Sequence, residues 1–218
     1  MSNLLRYNPN LQSFLPVCVT DCYPGTSGDF STQSQGGIYL NHNNGPVVDI
    51  DAGCNGSVAG ELGGAALAPS GWKLVFNSHQ APMTLGQSSY DPASMNQDIG
   101  WVSIEQNFSW GDIVWLTDTP DINEADSSVV QWNPVEDTSG TEQYVVGWAE
   151  PGYPYVYKLA RTDTDGNILE GPTDISSLAQ WGRRDDPMRR HYNDDIVWAW
   201  FDSPGSTTLN FARLVSGN

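Results

Sequence analysis

The chain has 218 residues, 39% of them apolar, with 22 glycines, 14 prolines and a formal net charge of -17. That length and apolar content support a buried core and exclude disorder by composition, while the glycines and prolines exclude an architecture of long helices and suit many short turns. Twenty-six carboxylates against nine lysines and arginines repel phosphate backbones and anionic bilayers, which argues against nucleic acid as a partner, and no stretch is apolar enough to predict membrane insertion.

Residues 1–30 read as a Cys/Gly/Pro-rich N-terminal segment. Met1 to Phe14 lacks a basic stretch followed by an apolar one, so no signal peptide is expected within it. Leu11 to Val19 reads as a strand able to close the last sheet of the chain. Cys18, Cys22 and Cys54 are the disulfide candidates. Their odd number permits at most one internal bridge, three free thiols are the alternative, and three scattered thiols fall short of a four-ligand metal site.

Residues 31–218 read as a repeat domain. Gly37–His42 and Pro46–Asp51 flank a turn at Asn43-Asn44-Gly45, and Gly71–Ser78 pairs with Asp98–Glu105 across a long polar loop. Asp121–Asp126 predicts one short helical turn. Ser128–Trp132, Gln143–Ala149, Tyr155–Thr162 and Ile168–Ile175 predict a four-stranded antiparallel sheet with its first strand innermost. Pro172 is tolerable on the outer strand, where fewer ladder donors are needed. A further pair follows, Ile196–Phe201 and a run ending Phe211-Ala212-Arg213. Trp148 and Trp200 stand 52 positions apart, as do Ala160 and Ala212, and Arg161 and Arg213. Shorter matches recur at offsets of about 45 to 50: Gly100-Trp101 with Gly147-Trp148, Thr117-Asp118-Thr119 with Thr162-Asp163-Thr164, and Gln131-Trp132 with Gln180-Trp181. Repeats of about this length are what the blades of β-propellers use.

The paired hairpins Tyr144–Arg161 and Ile196–Arg213, with the Asp165-Gly166-Asn167 turn, resemble the repeats of bacterial secreted and surface β-propeller proteins. The likeness covers the chain from about Gly71 onward. It implies an all-β, propeller-like array of about four antiparallel sheets. The last sheet lacks an outer strand in this reading, and either the N-terminal strand or a partner chain would complete it; the second case makes the protein a homo-oligomer or an assembly subunit.

Residues 181–191 gather four of the seven arginines. Arg183 and Arg184, with Trp181, Asp185 and His191, are candidates for an anion-recognising loop, since arginine presents a planar fork to carboxylate or phosphate. The alternative is that these arginines pair with Asp185, Asp186, Asp194 and Asp195 to brace a long connection. Trp132 and Trp181 precede polar loops and are candidate platforms for a sugar ring, whereas Trp148, Trp198 and Trp200 sit mid-strand and read as core. Asp163, Asp165 and Asn167 resemble the start of a calcium loop, the one cofactor suggested by the sequence, although Glu170 arrives too early for the twelve-residue pattern and a plain hairpin turn explains the same residues. Asp49 and Asp51 alternate on a strand and could share a cation. No nucleophile elbow, zinc-protease helix or phosphate loop is present. The expectation is a non-catalytic extracellular or cell-surface module that binds a glycan or another surface protein. A propeller-type glycoside hydrolase is the enzymatic alternative, because its Asp/Glu pair would come from different sheets and leave no local signature.

Overall fold

The structure, a computed structural model, describes residues 3–20, 36–39, 46–50, 61–78, 97–132, 142–152, 154–180, 187–191, 193–203 and 205–215. These residues form four antiparallel sheets, none closed into a barrel, and contain no helix. The first sheet is β1 (Asn3–Asn8), β2 (Ser13–Thr20), β3 (Gly36–Tyr39) and β4 (Pro46–Ile50). The second is β5 (Glu61–Ala68), β6 (Gly71–Ser78), β7 (Asp98–Glu105) and β8 (Val114–Trp115). The third is β9 (Ala125–Gln131), β10 (Gln143–Glu150), β11 (Val156–Asp163) and β12 (Ile168–Asp174). The fourth is β13 (Arg189–Arg190), β14 (Ile196–Phe201) and β15 (Leu209–Leu214). In every sheet the strand order follows the chain, so each strand pairs with its sequence neighbour and the ladders close through local connections.

Side chains alternate across each strand, and successive sheets use this to bury both faces. Trp72, Leu74 and Phe76 of β6 pack with Leu15 and Val17 of β2, filling the space between the first and second sheets. Val75 points the other way, with Trp101, and meets Tyr144, Val146 and Trp148 of the third sheet. Val130 and Val145 of the third sheet meet Ile196, Trp198 and Trp200 of the fourth. The first strands pack in series: β1 lies against β5, β5 against β9, and β9 against β13. The β5–β9 approach is so close that a Cβ on Gly63 would lie 2.6 Å from the Ser127 carbonyl oxygen, which explains why β5 is built from glycine and alanine.

The 52-residue repeat is a repeat of register. Val145 faces Arg161 as Val197 faces Arg213, Val146 faces Ala160 as Trp198 faces Ala212, and Trp148 faces Lys158 as Trp200 faces Asn210. Trp148 is 1% exposed against the second sheet, and Trp200 is 9% exposed against the third. The hairpin expected at Gly71–Ser78 and Asp98–Glu105 is β6–β7, with Gly71 opposite Glu105 and Ser78 opposite Asp98.

Several expectations are corrected. The Leu11–Val19 strand does not pair with β15. Most of it is β2, which already has a neighbour on each side: a tight hairpin sets Tyr7 opposite Phe14, and β3 takes the other edge. The first sheet therefore draws strands from both sides of residue 30, and the fourth sheet has three strands among the described residues. Asp121–Asp126 is not helical. Ile122 closes a turn on Thr119, Asp121 and Asp126 have φ of 66° and 51°, and β9 has begun at Ala125. The Gly-Trp match also dissolves, since Gly100-Trp101 lies on the third strand of its sheet and Gly147-Trp148 on the second.

Candidate functional site

Among the described residues, two cavities bring polar side chains together. The first, of about 330 Å³, opens between the third and fourth sheets. Trp132 follows β9 and is tied to β10 by its backbone N–H, which donates to the Gln143 carbonyl at 2.8 Å. Its ring is partly buried against the core between these sheets and lines the cavity with Val145, Leu159, Ala160, Ile175 and Leu214. The polar part of the lining is Arg161, Glu170 and Thr173. Register places Arg161 opposite both Val145 and Glu170, and its guanidinium meets the Glu170 carboxylate at 3.1 Å. Among the described residues, Arg161 Nε is buried with no acceptor.

The second cavity, of about 400 Å³, lies where the first strands of all four sheets converge. β1 contributes Leu5, Arg6 and Tyr7, β5 contributes Ala65 to Leu67, β9 contributes Val129 to Gln131, and the fourth sheet contributes Met188, Arg189 and Arg190. Three of the nine cationic side chains of the chain therefore line one cavity. Arg6 Nε donates to the Ala65 carbonyl at 2.9 Å. Burial, and after it the positive charge of Arg189, lower its pKa to about 10. Arg190 is held by Asp194, at 2.6 Å from Nη2, and donates to Gln131 Oε1 at 3.4 Å. Arg189 Nη1 donates to the Met188 carbonyl at 2.8 Å.

Of the residues expected to carry chemistry, Trp132 lines the first cavity. Trp181, Arg183, Arg184, Asp185, Asp186, Cys22, Cys54 and Asp51 lie outside the described residues, as does the side chain of Asp49. His191 is exposed in the β13–β14 turn, its Nδ1 3.0 Å from Asn193 Oδ1, and lines neither cavity. Of the pairings foreseen for the arginines of residues 181–191, that of Arg190 with Asp194 is present, whereas Asp195, 2% exposed, meets an arginine of β15, Arg213. Cys18 is an exposed free thiol.

The Asp163–Asn167 segment is occupied by its own turn. Asp163 Oδ1 accepts the backbone N–H groups of Asp165 and Asn167 at 2.9 and 2.8 Å, and Oδ2 accepts Asn167 Nδ2 at 2.8 Å. Desolvation pushes the Asp163 carboxyl up, but these hydrogen bonds outweigh it and hold the group below its ordinary value. Among the described residues, no group of three or more His, Cys, Asp or Glu converges as a metal site.

Two buried carboxyls escaped the sequence reading. Glu124 is 0% exposed and Asp98 5% exposed, at the junction of the second and third sheets. Desolvation raises the Glu124 carboxyl to about 7, the nearby Thr119 hydroxyl offsets part of this, and the charge of Asp98 adds to it. Neither carboxyl lines either cavity.

No family model, no curated protein and no solved structure matches the chain.

Proposed function

We propose that this chain is a non-catalytic binding module of propeller-like build, acting outside the cell or at its surface, and that the Trp132 cavity receives a sugar ring of a glycan. Four consecutive meander sheets stacked face to face, with their first strands around a common cavity, support the propeller-like reading. The observation that carries the binding reading is the mixed lining of this cavity, in which Trp132 and aliphatic side chains share the wall with the Arg161–Glu170 ion pair and Thr173. Pockets of a few hundred Å³ with apolar walls and a few converging polar groups are where small ligands bind. The hydroxyl oxygens of a ring stacked on Trp132 would accept from Arg161, and its hydroxyl groups would donate to the Glu170 carboxylate. The test is a glycan array followed by titration of the best binder. Trp132→Ala is expected to weaken it at least tenfold, about 1.4 kcal/mol, with the thermal midpoint monitored alongside. A broad array without a single binder would sink the reading.

An assembly role is the second reading. Its support is the fourth sheet, three-stranded among the described residues, whose outward face exposes Phe201, Leu209 and Phe211 while the first sheet exposes Leu5, Tyr7 and Phe14. Apolar patches of this kind mark interaction surfaces. Solution mass decides it, and a strictly monomeric species would count against it. The hydrolase reading has less support: Asp98 opens β7 and Glu124 immediately precedes β9, but both are buried.

A further inference from the structure

We infer that the outer edge of β15 pairs with the same edge of a second copy, so that two fourth sheets join across a twofold axis into one continuous antiparallel sheet. The inference rests on the assembly reading above and names its occupant and its contact. The outer strands of the other three sheets are each unsuited to pairing further. β4 opens on Pro46 and shifts register against β3, β8 has two residues, and β12 carries Pro172 and two register shifts against β11. Short strands, prolines and bulges are the devices that keep sheet edges from pairing with other chains. β15 has none of them. Its six residues run in unbroken register against β14, from Leu209 opposite Phe201 to Leu214 opposite Ile196, and no strand lies beyond it among the described residues. Its one charged side chain, Arg213, is held by the buried Asp195.

The side chains of β15 select the occupant. Ile196, Trp198 and Trp200 of β14 face the third sheet, so Val197, Ala199 and Phe201 face outward, and with them their partners across the ladder, Arg213, Phe211 and Leu209. Leu209, Phe211 and Val215 are 60%, 66% and 59% exposed. Residues directly opposite each other in an antiparallel pair share a face. Turning the row Leu209, Phe211, Arg213, Val215 against itself about Ala212 sets Leu209 opposite the partner's Val215 and Phe211 opposite the partner's Arg213, each contact occurring twice. Aliphatic meets aliphatic, and a guanidinium meets a phenyl ring in a cation–π contact. A twofold interface requires this self-complementarity, whereas a strand of unrelated sequence gains nothing from it, which favours a second copy. The pairing also brings together two chains of net charge -17, so it strengthens with salt.

The experiment is sedimentation equilibrium of the full chain across a concentration series at physiological salt. The parent is expected to reach twice the chain mass and no more, because a twofold contact closes. Phe211→Lys sets a second cation opposite the partner's Arg213 and is expected to weaken the dimer at least tenfold, although it lowers the net charge of each chain. Phe211→Glu sets an opposite charge there and is expected to weaken the dimer less than Phe211→Lys, although it raises the net charge. Phe14→Lys, on the exposed face of the first sheet, is expected to dimerise as the parent does. Thermal midpoints of all variants separate lost pairing from lost folding. A strictly monomeric parent overturns the inference and the assembly reading together. A dimer that Phe211→Lys leaves intact, that Phe14→Lys dissociates, or that Phe211→Glu weakens as much as Phe211→Lys does, overturns the inference alone and leaves assembly to another contact.

Discussion

The second and fourth sheets are built on one plan and end in opposite states. Every residue of β6 is buried, because the second sheet has a neighbour on both faces. β15 alternates between exposed and half-buried, because only the face carrying Ala212 and Leu214 meets a neighbour. The difference lies in position and not in composition: Phe211 and Leu209 are as apolar as Phe76 and Leu74, yet they are 66% and 60% exposed. Stability therefore resides in the inter-sheet layers, and the terminal sheets keep apolar surface in reserve.

The largest expected effect breaks the buried side of that comparison. Trp72 is fully buried and stacks on Phe108 at 6.2 Å. Trp72→Ala should cost about 3–5 kcal/mol through the cavity left between the first two sheets. Phe211→Ala should stay within about 0.5 kcal/mol in a monomer. Urea unfolding of both variants checks this, and similar losses at the two positions would show that β15 is covered in solution.

Next comes Glu124, buried at the layer between the second and third sheets. Its carboxyl titrates near 7 in the folded chain and at about 4.5 in the unfolded chain. Between these values the native state holds the proton that the unfolded state has lost, so stability falls as pH rises from 4.5 to 7, by about 3 kcal/mol. Glu124→Gln should flatten that window and raise the unfolding midpoint at pH 8. If the parent and the variant lose the same stability between pH 5 and 8, the source lies elsewhere.

Gly63 tests how tightly the first strands converge. Gly63→Ala places a methyl group against the backbone of Ser127, which has no rotamer with which to give way, and should cost about 1–3 kcal/mol. A neutral outcome would mean that β5 and β9 lie further apart than the geometry requires.

The same contrast explains what was legible in the sequence. The third and fourth sheets were readable because their strands carry bulky residues at one offset, and Trp148 and Trp200 fill equivalent layers. β5 was not readable: Glu-Leu-Gly-Gly-Ala-Ala-Leu-Ala has few strand-forming side chains, and its composition answers to the approach of β9, a tertiary demand. β1 was missed for want of length and pattern, and with it the strand that takes one edge of β2. The Gly-Trp match misled because it compares the third strand of one sheet with the second of the next. Within the sites, Trp132 could be found from its place after a strand and before a polar loop. Arg6 could not, since only the convergence of four sheets brings it to Arg189.

The smallest expected effect concerns the Asp163 turn, on the exposed side of the third sheet. The Asp163 carboxylate accepts three hydrogen bonds from its own turn, so its oxygens are committed before any cation arrives. Asp163→Ala should cost on the order of 1 kcal/mol, the net worth of turn hydrogen bonds at a solvated site. Because its carboxyl is held below its ordinary value of 3.8, the contribution is present above that pH and is lost as the pH falls through the lowered folded value. Millimolar calcium should leave the parent's thermal midpoint unchanged. A clear rise with calcium, abolished in Asp163→Ala, would show that a cation can displace the turn's own donors and would support the calcium-loop reading.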